Sequence, residues 1–199
     1  MSAERRALAV PIRPPVAPNE RTLIRRFGAP RAAGATLFVW REMLEALLEA
    51  STVRTEGYQA ALLVGGPFMG PLGPYVELHG FCDFAAHADP LAFANELDAD
   101  WTQIHNRVRR THAPHRIVGW VHIERGTAGN LPPLARMVHR TLFHLPFTVV
   151  ASLDPEQGAF AFYGATPAGE LQPIGFNLVS RPSAAPLPPI VPLSPETPT

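Results

Sequence analysis

The most constraining feature of this chain is an apolar segment at 116–122 (RIVGWVH), which a helix signal separates from a second apolar segment at 147–153 (FTVVASL). A strand that is apolar on both faces is typical of the centre of a sheet that helices cover. Pro132 and Pro133 favour the first turn of the intervening helix, which is predicted to reach about His144. Strand, helix and strand in this order indicate an α/β layer architecture with a mixed sheet.

The rest of the chain extends this pattern in both directions. Upstream, the sequence predicts a strand at 36–39, a helix at 40–51, a strand at 58–65, a Gly/Pro hairpin loop at 66–74 and a strand at 75–84. Downstream, it predicts a turn at 154–158, a paired strand at 159–163 and a strand-like segment at 170–179.

Capping residues and apolar stripes locate two helices more closely. Asp98 or Asp100 is expected to cap a helix ahead of 116–122. Asn130 is expected to cap the helix that follows this segment. The inward residues of that second helix are predicted to be Leu134, Met137, Val138, Leu142 and Phe143.

Proline content divides the chain into three parts. The 23 prolines are concentrated near the ends, so 1–33 is predicted to be a basic, Pro-rich and partly disordered arm. Residues 34–180 are predicted to form a single domain, and 181–199 are predicted to be a Pro-rich disordered tail. The arm could bind a partner, fold back on the body or act as a solubilising tail.

Charge and cysteine content narrow the class of protein. The formal net charge is zero, which gives no general electrostatic reason to expect binding to nucleic acid or to an acidic membrane. The single cysteine, Cys82, excludes an internal disulfide and fits a reducing compartment. No signal sequence or membrane-length apolar run is present, so we expect a cytoplasmic location.

The segment 117–163 resembles the JAMM (MPN) family of zinc isopeptidases, in particular its bacterial members. In that family a strand ends in Gly-Trp-x-His-x-His-Pro, Ser-x-x-Asp follows at the start of a helix, and an Asp-Pro hairpin comes later. This chain has Gly119-Trp120-Val121-His122, a helix at the matching distance and Asp154-Pro155. ALLVGG at 61–66 resembles the family's GLLLG segment. The resemblance covers about 35–180 and implies an MPN-like (cytidine-deaminase-like) mixed β-sheet flanked by helices.

The catalytic positions of the family are mostly replaced in this chain. By the resemblance, His122 matches the first zinc histidine and Glu124 the second. Pro132 falls on the catalytic serine and Ala135 on the zinc aspartate. Tyr58 falls on the general-base glutamate, and Glu56 lies two residues away, which is about 7 Å along a strand.

Two functions follow as hypotheses from this resemblance. The first is a catalytically inactive MPN-like domain, without a bound cofactor, that binds a second MPN-type subunit or a ubiquitin-like protein and can dimerise. The alternative is a zinc isopeptidase with a rearranged site at His122, Glu124 and Glu56. The sequence also brings His79, Cys82, Asp83 and His87 close together along the chain. We interpret these residues as structural, because the order of the cysteine and the histidines matches no known class of cysteine protease.

Overall fold

The structure is a computed structural model that describes residues 23–28, 35–53, 57–180 and 191–192. Three helices lie in these ranges: Arg41–Val53 (α1), Pro90–Thr111 (α2) and Pro133–Leu142 (α3). The same ranges contain ten strands: Leu23–Phe27 (β1), Thr36–Trp40 (β2), Tyr58–Gly70 (β3), Gly73–His87 (β4), Arg116–Ile123 (β5), Val149–Asp154 (β6), Ala159–Ala165 (β7), Leu171–Ile174 (β8), Phe176–Ser180 (β9) and Val191–Pro192 (β10).

All ten strands belong to one mixed sheet. Its order is β1-β9-β2-β4-β3-β5-β6-β7-β10, and β8 also pairs with β7. The pairs β2–β4, β2–β9, β5–β6 and β7–β10 are parallel, and the remaining pairs are antiparallel. The predicted mixed α/β class is therefore confirmed, and β5 lies near the middle of the sheet as its apolar sequence indicates.

Helices cover both faces of the sheet. Residues at alternating positions of β3 show this division, because Ala61 and Leu63 belong to one buried cluster and Ala60 and Leu62 to another. The first cluster packs under α1, and the second packs under α2 and α3. Side chains of β5 follow the same rule, so the second cluster contains Trp120.

The hairpin of β3 and β4 differs from its prediction. The segment 66–74 is mostly strand, and the turn is confined to Pro71 and Leu72. Pro67 pairs with Val76 within the ladder. A proline is tolerated there because the pairing of β3 with β5 ends at Gly65, so one edge of β3 needs no N–H donor beyond that residue.

The start of α2 also differs from its prediction. The helix begins at Pro90, and Asp89 is its N-cap, with one carboxylate oxygen accepting hydrogen bonds from the N–H groups of Leu91 and Ala92 at 2.8 Å each. Asp98 and Asp100 therefore lie inside the helix and are exposed. The missed signal is the Asp89-Pro90 pair, a capping residue followed by the residue favoured at the first helical position.

The third helix agrees with its prediction only in part. Its N-cap is Pro132 rather than Asn130, and no side chain caps it. The buried residues of α3 are Ala135, Val138 and His139, whereas Leu134 and Met137 are exposed. Val138 and Phe143 are buried and Leu142 packs against the same cluster, as predicted. Leu134 and Met137 are predicted wrongly, because a small alanine and a histidine, rather than these two large apolar side chains, face the sheet.

The ends of the chain add strands to both edges of the sheet. From the predicted basic arm, β1 pairs with β9, and the ring of Phe27 stacks on that of Phe176 at 5.0 Å. From the predicted tail, β10 pairs with β7. The other residues of the predicted arm and tail lie outside the described ranges. Within those ranges, no helix is long and apolar enough to cross a membrane.

Gly119 is required by the close contact between β5 and β6. A Cβ atom at this position would lie 1.8 Å from the carbonyl oxygen of Val149, far inside van der Waals contact. The parallel pairing of the two strands aligns Gly119 with Val149, so this clash could be relieved only by separating the backbones. The glycine of the Gly-Trp-x-His motif is thus explained by sheet packing.

We expect Gly119→Ala to lower the free energy of unfolding by about 3 kcal/mol or more, because overpacking against backbone cannot be relieved by a rotamer change. Gly80→Ala is the matched control, since a Cβ atom added at this strand glycine has no neighbour within 4 Å. Urea denaturation of both variants measures the difference. Equal stability of the two variants would contradict a steric requirement for Gly119.

Candidate functional site

Two strands bring Tyr58 and His122 together beneath α2 and α3. In the ladder between β3 and β5, Ala60 is the partner of His122, and Tyr58 is the first residue of β3. The rings of Tyr58 and His122 lie 5.1 Å apart between centroids. His122 is fully buried, and the ring of Trp120, two residues earlier on the same face, stands edge-on to it at 6.2 Å.

Glu124 approaches His122 from the end of β5. One carboxylate oxygen lies 3.2 Å from Nε2 of His122, and 45% of the glutamate side chain is exposed. The two groups are not aligned for a hydrogen bond, and neither ring nitrogen of His122 has another partner among the described residues. Burial lowers the pKa of His122 to about 4. At neutral pH the contact therefore joins a neutral imidazole to a carboxylate.

The hydroxyl of Tyr58 completes this polar corner. It is buried and has no hydrogen-bond partner within the described part of the chain. Burial raises the pKa of Tyr58 far above its ordinary value, and the negative charges of Glu124 and Asp89 raise it further. The side chain therefore stays protonated, so it is a hydrogen-bond donor and not a base at neutral pH.

The positions matched to the serine and aspartate of the family carry no polar group. Ala135 is completely buried and packs in the apolar cluster that includes Trp120, Leu131 and Val138. Pro132 is the N-cap of α3. Neither side chain has an atom that can bind a metal or stabilise an oxyanion. At the position matched to the zinc aspartate, α3 therefore has only the methyl group of Ala135.

The donor set does not fit the zinc that the resemblance implies. A catalytic zinc uses three protein ligands and one water. His122 and Glu124 supply two donors, and Ala135, at the position of the third ligand, supplies none. Among the described residues, no group of three His, Cys, Asp or Glu side chains is placed to hold a metal ion. Glu56, the remaining predicted candidate, lies outside the described residues.

The histidines of β4 contact separate partners. Nε2 of His79 lies 2.7 Å from a carboxylate oxygen of Glu77, and the ring stacks on that of His115 at 4.2 Å. Nδ1 of His87 lies 3.1 Å from a carboxylate oxygen of Glu96 on α2. His79 and His87 thus have different carboxylate partners, and no group of three metal-binding side chains forms around them among the described residues. The partner of His87 was missed because the start of α2 was predicted too late.

Polar atoms without hydrogen-bond partners accumulate on this side of the sheet. Within the described residues they include Nε1 of Trp120 and both ring nitrogens of His139, besides the groups of Tyr58 and His122. Burial lowers the pKa of His139 to about 4 as well, and its ring stacks on Phe143 at 5.7 Å. Two neutral, buried histidines thus contribute to the core beneath α2 and α3.

Asp154 fixes the loop that joins β5 to α3. One carboxylate oxygen accepts a hydrogen bond from the N–H of Ala128 at 2.9 Å, and the other accepts from the N–H groups of Glu156 and Gln157. The hydroxyl of Ser152 donates to the carbonyl of Asn130 at 2.9 Å. The side chain of Asp154 thus has a structural role, whereas Asn130 contributes only its backbone carbonyl to this contact.

No known protein family and no curated protein matches this chain in sequence. The resemblance to the JAMM (MPN) family consequently depends on the order and spacing of the motifs in 35–180 and on no overall similarity. The function of the chain has to be inferred from the geometry of the site and its surroundings.

Stability should depend on pH through His122 and His139. Each has a pKa of about 4 when folded, below the ordinary value of 6.5, so the unfolded chain binds more protons between these limits. The free energy of unfolding is therefore highest above pH 6.5 and falls as the pH drops toward 4. Each histidine contributes on the order of 3 kcal/mol to this loss.

Urea denaturation of His122→Gln and His139→Gln between pH 4.5 and 8 measures this dependence. Each substitution should make the slope of stability against pH shallower by up to one proton below pH 6.5. Between pH 7 and 8, where both imidazoles are neutral in either state, the variants and the wild type should have equal slopes. An unchanged slope below pH 6.5 in both variants would show that the buried imidazoles do not control acid stability.

Proposed function

We propose that this chain is a catalytically inactive MPN-like domain that acts as a protein-binding or scaffolding subunit. The order of its elements supports the family assignment: a strand and helix, then the β3–β4 hairpin, α2, the central strand β5, α3 and the β6–β7 hairpin. His122 near the end of β5 and the helix α3 after it occupy the same relative places as the zinc strand and its following helix in the family.

The burial of Ala135 is the observation that carries the inactive assignment. Its side chain has no exposed surface, and it packs against apolar residues where a zinc aspartate would have to reach into a polar cavity. A carboxylate could not be placed there without burying a charge. Pro132 likewise replaces a hydroxyl with a ring that has no donor. The corner around His122 thus has the packing of a core.

The surface of α2 and α3 supports a role in protein binding. Four of the exposed large apolar side chains in the described residues lie on these two helices: Leu91, Trp101, Leu134 and Met137. Leu134 and Met137 are three residues apart, so they share one outward face of α3. The partner we propose is a second MPN-type subunit, because the resemblance implies that such domains pair through helices.

Charged residues on the outward face of α3 should weaken partner binding. We expect Leu134→Glu combined with Met137→Glu to weaken the complex at least tenfold, because charges would enter a desolvated apolar contact. Leu72→Glu is the matched control, since Leu72 is 98% exposed at the tip of the β3–β4 turn, away from both helices. Light scattering of the protein alone and with each co-purified partner measures the stoichiometry.

Three outcomes of this experiment are distinct. A stoichiometric dimer or hetero-complex that the α3 variant loses and the Leu72 variant keeps supports the proposal. A ubiquitin-like partner that binds elsewhere overturns the assignment of the partner and of the face. A monomer that binds no MPN-type subunit at about 100 μM, well above the Kd of most specific complexes, contradicts a scaffolding role.

A zinc isopeptidase with a rearranged site is the second candidate. The approach of Glu124 to within 3.2 Å of His122 favours it, because both residue types can ligate zinc. The buried hydroxyl of Tyr58 lies in the same corner and could donate a hydrogen bond. This candidate still needs a third protein ligand from outside the described residues, such as Glu56.

Metal analysis distinguishes the two candidates. The inactive assignment predicts less than about 0.1 zinc per chain after purification and dialysis, since two ligands give weak affinity. His122→Ala should then leave the zinc content unchanged, and His112→Ala serves as the control for surface histidines. Near-stoichiometric zinc that His122→Ala removes and His112→Ala retains would establish the isopeptidase candidate instead.

A further inference from the structure

A second concave site lies at the opposite end of β5 from Glu124. It is a cavity of about 400 Å³ between the C-terminal half of α2, the end of α3, the start of β5 and the loop that leads into β6. Cavities of this size are typical of small-molecule sites. The His122 corner and the outward face of α3 contribute no residue to its lining.

The floor of this cavity is apolar and partly aromatic. Trp101, Phe143 and Phe147 line it together with Ile117, Leu142 and Leu145. The rings of Trp101 and Phe143 meet edge to face at 6.4 Å. Trp101 is 38% exposed, so its ring is available at the mouth of the cavity. A flat apolar body of one or two rings would gain contact with this floor.

The polar groups of the cavity are all basic or neutral. Arg109, Arg116, His105, His115 and His144 line it, and no aspartate or glutamate does. The ion pairs found among the described residues include neither Arg109 nor Arg116. This bias extends along the chain, because 101–148 contains seven arginines and one acidic residue, Glu124. An anion placed here would meet two guanidinium groups, with no carboxylate among the residues that line the cavity.

The helix ends at the cavity act against an anion but do not outweigh the arginines. The C-terminal ends of α2 and α3 each carry a partial negative charge equivalent to roughly half an elementary charge. Two full positive charges, on Arg109 and Arg116, exceed these partial charges in sum. Guanidinium groups also bind a carboxylate or phosphate through two parallel hydrogen bonds. The carbonyl groups at the helix ends contribute only their partial negative charge.

We propose that this cavity, which we call the arginine pocket, binds a small aromatic anion. The ring would lie on the apolar floor near Trp101 and Phe143, and the carboxylate or phosphate would contact Arg109 and Arg116. The proposal does not rest on the protein-binding function: Trp101 belongs to both surfaces, but Leu134 and Met137, the residues that test protein binding, are absent from the lining of the pocket. Carboxylate and phosphate share the chemistry that the pocket recognises, and separate probes distinguish them.

Isothermal titration calorimetry with full-length protein tests the arginine pocket. The probes are 2-naphthoate and 1-naphthyl phosphate, with neutral 2-naphthamide as the uncharged analogue and inorganic phosphate as the anion without a ring. We expect at least one aromatic anion to bind with a Kd below about 1 mM, a value within reach of a ligand of this size. The amide and inorganic phosphate should each bind at least tenfold more weakly.

Charge-matched variants locate the site. Arg116→Met should weaken binding of the aromatic anion at least tenfold, as expected for the loss of a hydrogen-bonded charge pair. Arg125→Met removes the same charge beyond the other end of β5 and should leave the affinity within about twofold, because exposed charges at that distance are screened. If Arg116→Met fails to fold, Arg109→Met provides a second test, because Arg109 lines the pocket but is exposed on α2.

The outcomes are decisive in both directions. Tighter binding of 1-naphthyl phosphate or of 2-naphthoate shows whether the pocket prefers a phosphate or a carboxylate, and either result supports the proposal. Equal losses of affinity in Arg116→Met and Arg125→Met would show that the anion is attracted only by the general charge of the protein, and would overturn the proposal. Binding of 2-naphthamide as tight as that of 2-naphthoate, or absence of binding by both aromatic anions at about 5 mM, would also overturn it.

Discussion

The close contact of β5 with β6 at Gly119 is the constraint on which the rest of the fold depends. It brings two parallel strands into register, so that His122 lies beside Ser152 and the loop between the strands passes over the end of the sheet. Asp154 then fixes this loop through Ala128, and α3 starts from a defined point. Because β3 pairs along its other edge and apolar clusters cover both its faces, β5 positions both the His122 corner and the arginine pocket.

The core beneath α2 and α3 is unusual for its neutral polar groups. Apolar packing around Ala135 excludes water, and this burial keeps His122 and His139 uncharged at neutral pH. Buried polar atoms without partners cost free energy, so the cluster is retained at the expense of stability. Under the proposed function, the strand and helix of an enzyme-like corner are kept for packing, while the groups needed for zinc catalysis are replaced.

The sequence was sufficient for the elements that are strongly periodic or uniformly apolar. The strands around 116–122 and 147–153, the helix after Trp40 and the mixed α/β class could all be predicted. The inward face of α3 could be predicted only in part, because Ala135 and His139, which turn inward beside Val138, are less hydrophobic than Leu134, which stays outside. The arginine pocket also escaped prediction, because it joins residues from α2, β5 and the loop before β6 that only the fold brings together.

Anomalous diffraction at the zinc absorption edge, from crystals grown with excess zinc at neutral pH, tests the inactive assignment most directly. We expect no anomalous peak within about 2.5 Å of Nε2 of His122, and a side chain of Ala135 packed against Trp120. A peak at about 2.0–2.1 Å from Nε2, with Glu124 and a third protein ligand around it, would contradict the inactive assignment and establish a metal centre in this corner.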